Sequence, residues 1–207
     1  IPLHIRIIMF WFEPPSQLLN WEFNVAGALD DSYIQWIEQY VDSNKELLTK
    51  AEVRTGTDNP VDNDYRRSDL FFFTKLHEAE PLYQRIYDIV SEVNSHHFKY
   101  SLCYTEPYQY SVYDSSELGF YDIHCDSHLR NTSGFTRKIS FSILLNDPSE
   151  FEGGKLLFHI SKDPVEAQLE KKGDMVLFPS FIPHSVTPVT KGVRKALVGW
   201  ICGPNLV

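Results

Sequence analysis

Within the stretch Tyr121-Asp122-Ile123-His124-Cys125-Asp126, an imidazole and a carboxylate stand two positions apart at the end of a strand-like run. Alternate side chains of an extended segment share a face, so His124 and Asp126 point together while Cys125 points away. A second imidazole, His184, follows 58 residues after Asp126 inside another β-like segment, Phe181 to Val186. Two histidines and one carboxylate suit a non-haem iron(II) ion, filling one face of the metal and leaving the opposite positions open for substrate and oxygen. Arg194 comes ten residues after His184, in a run from Gly192 to Trp200 that is expected to pass close to the strand carrying His184. A fixed cation beside a metal points to an anionic co-substrate.

These side chains need strands to hold them. From Ser101 onward the chain reads as seven β-like runs, Tyr104 to Tyr113, Phe120 to His124, Lys138 to Leu145, Lys155 to Ile160, Asp174 to Phe178, His184 to Val189 and Lys195 to Cys202, with Gly, Pro, Asn and Asp between them. An eighth is expected within Val165 to Lys171. Two amphipathic helices precede them. Asp30, Asp31 and Ser32 offer capping chemistry to the first, whose apolar stripe is Ile34, Ile37, Val41 and Leu48. Glu80-Pro81 opens the second, with Leu82, Ile86, Ile89 and Val93 as its stripe and His96 and His97 complementing the dipole at its end. Asn24 to Asp31 reads as a short strand and turn, Leu70 to Phe73 as a buried strand, and Arg54 to Asp69 as a long polar loop of the kind that covers sites. Helices followed by eight short strands predict a mainly β chain, a two-sheet jelly roll with N-terminal helices packed outside one sheet. The expected division is one domain over 1–207, with a helical support region and loop over 1–100 and the jelly-roll core over 101–204.

Composition narrows the function. Hydrophobic content of 43% supplies a core, and a net charge of -9 argues against nucleic acid as a partner, because binding phosphates takes clustered Lys and Arg. Cys103, Cys125 and Cys202 are too few and too irregularly spaced for a disulfide framework or a zinc knuckle, so a reducing cytoplasm is expected. No apolar run reaches the roughly 20 residues that span a bilayer, so no membrane partner is expected. Ile1 to Phe12 carries His4 and Arg6 and lacks a small-residue cleavage site, unlike a signal peptide.

Other histidines carry less. His124 and His128 are four apart, but a helical zinc-protease site needs Glu after its first His, where Cys125 stands. His159, after Gly153-Gly154, is read as a rim or core residue. A zinc hydrolase with the same three ligands and a bound water would leave Arg194 without a task and need a separate general base. A jelly-roll binding module without catalysis would leave the whole ligand set unexplained.

From about Tyr104 to Pro204 the sequence resembles the iron(II)- and 2-oxoglutarate-dependent oxygenases, and among them the prolyl 4-hydroxylase-like branch. The resemblance rests on His124-x-Asp126, distal His184 and Arg194, with Tyr113, Glu152-Gly153-Gly154, Phe178-Pro179-Ser180 and Trp200 in order around them. It implies a double-stranded β-helix with iron(II) on His124, Asp126 and His184. It also implies 2-oxoglutarate as co-substrate, its far carboxylate on Arg194 and Tyr113 close by, with ascorbate as a candidate further cofactor. Oxidative decarboxylation to succinate would be coupled to hydroxylation of a C–H bond. Arg66-Arg67-Ser68 resembles an Arg-x-Ser segment of the prolyl hydroxylases, and Arg66, Tyr121, Arg137 and Trp200 are the candidate substrate contacts, Trp200 as an apolar wall. The implied substrate is a prolyl residue in a peptide or protein, covered by the loop from Arg54 to Ser68, with free amino acids or other small molecules as the alternative. Two departures stand out. Lys195-Ala196 replaces the Arg-x-Ser clasp of some branches, and Leu144 takes the place of a tyrosine that some animal enzymes set on the co-substrate carboxylate.

Overall fold

The computed structural model describes residues 21–51, 64–74, 77–127 and 134–205. His128 and most of the expected covering loop, residues 54–63, lie outside these ranges. Helix α1 spans Asp31–Ser43 and begins where the Asp30 carboxylate accepts hydrogen bonds from the Ser32 and Tyr33 amides. Ile34, Ile37 and Val41 are its buried stripe, and Leu48 falls beyond it, after a 3-10 turn at Lys45–Leu47. Helix α2, Glu80–Val93, buries Leu82, Ile86, Ile89, Val90 and Val93 and runs into a π-helical turn, Asn94–Phe98, that holds His96 and His97.

Fourteen strands form among the described residues. In chain order they are β1 Phe23–Val25, β2 Thr49–Lys50, β3 Arg66–Arg67, β4 Asp69–Phe72, β5 Tyr104–Thr105, β6 Gln109–Asp114 and β7 Phe120–His124. Then come β8 Phe135–Leu144, β9 Phe151–Gly153, β10 Leu156–Phe158, β11 Val165–Glu166, β12 Met175–Pro179, β13 His184–Val186 and β14 Val189–Pro204. The larger sheet runs β1-β12-β8-β14-β6-β4-β2 and the smaller β11-β10-β13-β7-β3. The paired strands are antiparallel, and the two sheets form the expected jelly roll. Both helices pack on the outer face of the larger sheet, where Ile37 and Ile86 join Phe141, Ile143 and Leu197 in one buried cluster. A second cluster between the sheets contains Tyr113, Leu156, Phe158, Val176, Phe178 and Val186.

Several boundaries differ from the sequence pattern for identifiable reasons. The run Tyr104 to Tyr113 splits into β5 and β6 around Glu106, Pro107 and Tyr108, since proline cannot donate to a ladder. Val189 belongs to β14 rather than to the strand of His184, and the eighth strand shrinks to Val165–Glu166. Glu152-Gly153 pairs with β14 before Gly153 (φ 79°) and Gly154 (φ 61°) make the turn. The end of the expected loop is paired as well: β3 joins β7 in the smaller sheet and β4 joins β6 in the larger, so the chain changes sheets at Ser68.

Candidate active site

Strands β7 and β13 are neighbours, and their register sets His124 directly opposite His184. Asp126 lies just past the end of β7, where its amide donates to the Ser180 carbonyl at 2.9 Å. Its Oδ1 is 3.7 Å from His124 Nε2 and its Oδ2 is 3.5 Å from His184 Nε2. One ligand atom from each of the three lies within 4.8 Å of the others, the only such group of three or more among the described residues. Each imidazole is oriented from behind. His124 Nδ1 bonds the Asp122 carbonyl at 2.8 Å and His184 Nδ1 the Ile182 carbonyl at 2.9 Å. A carbonyl accepts only, so Nδ1 carries the proton and the Nε2 lone pair is free for a metal.

The electrostatics fit a cation. Burial, and then the neighbouring His184, push the His124 pKa down to about 4, so the ring is neutral and able to ligate. Burial alone would raise the Asp126 pKa, but the two imidazoles, the Ser140 hydroxyl and the Trp200 indole outweigh it and hold the carboxyl below its ordinary range. Ser140 Oγ donates to Asp126 Oδ2 at 2.7 Å, with Ser180 Oγ 2.9 Å behind it. The Trp200 indole N–H faces the same carboxylate, yet is buried outside hydrogen-bonding geometry. Tyr121 stacks on His124 with ring centroids 3.6 Å apart, and the Arg66 guanidinium lies 4.2 Å from the centre of the Tyr121 ring. Two imidazoles and a carboxylate on one side of an open space are a suitable donor set for iron(II).

That space is a cavity of about 670 Å3 between the sheets, lined by the three candidate ligands and by Arg66, Tyr113, Tyr121, Arg137, Arg194 and Trp200. Every candidate site residue read from the sequence therefore reaches it. Arg194 is only 3% exposed, and no carboxylate among the described residues pairs with it. Burial lowers its pKa, and its guanidinium sits 5.6 Å from the Tyr113 ring centre. Gly154 makes room for it: a Cβ there would come 2.7 Å from Arg194 Cδ. The competing cations are engaged elsewhere or absent from the cavity lining. Lys195 faces the other side of β14 and meets Glu38 at 2.7 Å, Arg137 is gripped at two points by Glu106, and Lys138 does not line the cavity.

Arg137 reaches the cavity through an irregularity. In strict alternation it would point with Ile139 and Phe141 toward the helices, but the β8–β14 register shifts between Ile201 and Cys202 and leaves Lys138 unpaired. Its guanidinium then covers the Trp200 ring at 3.9 Å. Sequence reasoning singled out Ser180 only within the run Phe178-Pro179-Ser180, and missed Glu106, Ser140, and the buried pair in which Gln109 Nε2 donates to Ser111 Oγ at 2.7 Å. The serines at 140 and 142, alternating with Ile139, Phe141 and Ile143, were a legible signal of a polar inner face. Leu144, buried opposite Ala196, offers no hydroxyl to a co-substrate.

A jelly roll that sets a His-Asp-His cluster and the buried Arg194 in one cavity between its sheets has the make-up of a non-haem metal site of the double-stranded β-helix type. Residues 108–202 match the model of the 2OG-Fe(II) oxygenase superfamily. A PKHD-type hydroxylase from Idiomarina loihiensis is 39% identical over 82 residues, which are 40% of this chain and 36% of that protein. A PKHD-type hydroxylase from Shigella boydii is 32% identical over 166 residues, covering 78% of this chain and 60% of that protein. The chain thus spans less than two thirds of the length of either. The solved prolyl hydroxylase of Trichoplax adhaerens, in complex with a hypoxia inducible factor oxygen degradation domain peptide fragment, superposes with a TM-score of 0.69 at 19% identity, covering 88% of this chain and 83% of that one. No helix among the described residues is long and apolar enough to cross a membrane.

Proposed function

We propose that this chain is an iron(II)- and 2-oxoglutarate-dependent dioxygenase that hydroxylates a prolyl residue in a peptide or protein. The observation that carries the reading is Arg194, a buried cation without a carboxylate partner among the described residues, in the same cavity as the three candidate ligands. An unpaired buried charge costs several kcal/mol of desolvation, and a cavity-facing arginine recovers that cost when a ligand carboxylate arrives.

His124, Asp126 and His184 would hold the metal. Bound iron(II) supplies the activation of dioxygen, with 2-oxoglutarate as the electron source and succinate and carbon dioxide as its products. The carbonyls of Asp122 and Ile182 keep both Nε2 atoms aimed at the metal position, and Ser140 steadies the carboxylate. Arg194 presents a planar fork to the far carboxylate of 2-oxoglutarate, with Tyr113 beside it. No side chain is required as a nucleophile. Tyr121 and Trp200 give the cavity aromatic walls, which suit a pyrrolidine ring, and Arg66 and Arg137 stand over those two rings as polar contacts for the substrate backbone. A polypeptide substrate is further supported by the peptide-bound neighbour of the same fold. Ascorbate would keep the metal reduced between turnovers.

The test is succinate formation from 2-oxoglutarate with added iron(II), ascorbate and proline-containing peptides, followed by fragmentation to place any added oxygen. Oxygen on proline within a peptide is the expected result. Oxygen elsewhere, or only on free proline, would reject the peptidyl-prolyl assignment, and peptide hydrolysis without succinate would reject the oxygenase.

A further inference from the structure

Arg66, on the smaller sheet, repeats the situation of Arg194 on the larger. Its side chain lines the same cavity as the three candidate ligands and is 6% exposed. Ser68 Oγ accepts from its Nε at 2.8 Å, and no acceptor among the described residues takes its two terminal nitrogens. The Tyr121 ring against the guanidinium is a weak partner for a charge removed from water. The other charges that line the cavity balance. An imidazole must be neutral to ligate. A divalent ion on Asp126 leaves one positive charge, Arg194 adds a second, and a dianionic 2-oxoglutarate cancels both. Arg137 and Glu106 cancel each other, the carboxylate gripping the guanidinium at two points. The charge of Arg66 is what remains.

We propose that Arg66 binds a carboxylate of the substrate, so that the target residue lies next to an acidic side chain or a free chain end. The inference rests on the oxygenase reading above and adds which group of the substrate Arg66 takes. A guanidinium fork meets a carboxylate at two points with opposite charge, which a neutral peptide carbonyl cannot match. Arg66 and His124 both stack on Tyr121, at 4.2 and 3.6 Å, so Arg66 lies within about two residues' length of extended chain from a metal ligand. The carboxylate therefore belongs to a residue at or beside the target. The chain as a whole carries a net charge of -9, so the excess positive charge of the cavity is local and draws an anion to that one place.

The probes are labelled peptides with one proline, titrated by fluorescence polarisation into the full chain with manganese(II) and 2-oxoglutarate, oxygen excluded, so that binding is read without turnover. Ala-Asp-Pro-Asp-Ala amide is compared with Ala-Asn-Pro-Asn-Ala amide, and Ala-Ala-Pro-Ala bearing a free carboxylate with the same peptide amidated. The acidic member of at least one pair should bind roughly tenfold or more tightly than its neutral partner. A preference confined to the first pair assigns the anion to a side chain, and one confined to the second assigns it to a chain end. Arg66→Gln should bring the acidic peptide down to the neutral one, and Arg66→Lys should restore part of the difference, with circular dichroism checking both folds. Equal binding within both pairs on the unaltered chain, or none, overturns the proposal without any variant, and so does a preference that survives Arg66→Gln. Failure of succinate formation with iron(II) overturns the oxygenase instead, and the manganese(II) titrations do not depend on it.

Discussion

Replacing Arg194 should move stability and function in opposite directions. In the ligand-free chain its guanidinium is 3% exposed, has no carboxylate partner among the described residues, and has only an offset contact with Tyr113 at 5.6 Å. A cation–π contact returns about 0.5 to 2 kcal/mol, less than the several kcal/mol that desolvating a charge costs. Arg194→Met keeps much of the volume and removes the charge, so the ligand-free chain should gain about 1–2 kcal/mol, or about 2–8 °C in Tm for a chain of this size. The same change deletes a charge-assisted contact worth about 1.5–3 kcal/mol, so the apparent KM for 2-oxoglutarate should rise roughly tenfold or more. Thermal melts with and without 2-oxoglutarate, together with succinate kinetics, read both effects. The unaltered chain should be stabilised by 2-oxoglutarate in the presence of metal and the variant should not. A variant that melts lower without ligand while keeping the original KM would refute the argument, since Arg194 would then be a structural cation paired by something other than a co-substrate.

His184→Ala should abolish turnover and weaken metal binding measured by calorimetry, whereas His159→Ala, which removes only the 2.8 Å contact with Ser185 Oγ, should leave both nearly intact. Full activity in His184→Ala would remove it from the ligand set. Gly154→Ala places a Cβ 2.7 Å from Arg194 Cδ and 2.9 Å from Val189 Cγ2 at a φ of 61°, so it should raise the KM for 2-oxoglutarate several-fold and cost about 1–2 kcal/mol. An unchanged KM would show that Arg194 does not depend on that gap. The metal-free chain should lose stability as pH falls from about 6.5, where an unfolded histidine titrates, toward the folded His124 value of about 4. The unfolded chain takes up protons in that window and the folded one does not. Urea midpoints that stay level between pH 7.5 and pH 5 would contradict it.

Much of the site was legible because its chemistry is local or periodic. His124 and Asp126 share a face by strand alternation alone, and Ile34, Ile37 and Val41 mark the buried side of α1 by helical spacing alone. Arg194 is a different case. Its position after His184 suggested proximity, but only the packing shows that its neighbour Lys195 is occupied by Glu38 on the other face, and that Gly154 leaves the space it fills.

What the sequence by itself determined was the apolar faces that drive helices and sheets together and the shared face of His124 and Asp126, since each follows from residue type and a period of two or 3.6, with distal His184 added by the resemblance. Only the tertiary structure decided the pairing of His124 opposite His184, the turning of Arg137 onto Trp200 by an unpaired Lys138, its capture by Glu106, and the change of sheet at Ser68. Register, bulges and contacts between residues far apart in the chain depend on how whole faces pack against one another, and no local pattern carries that information.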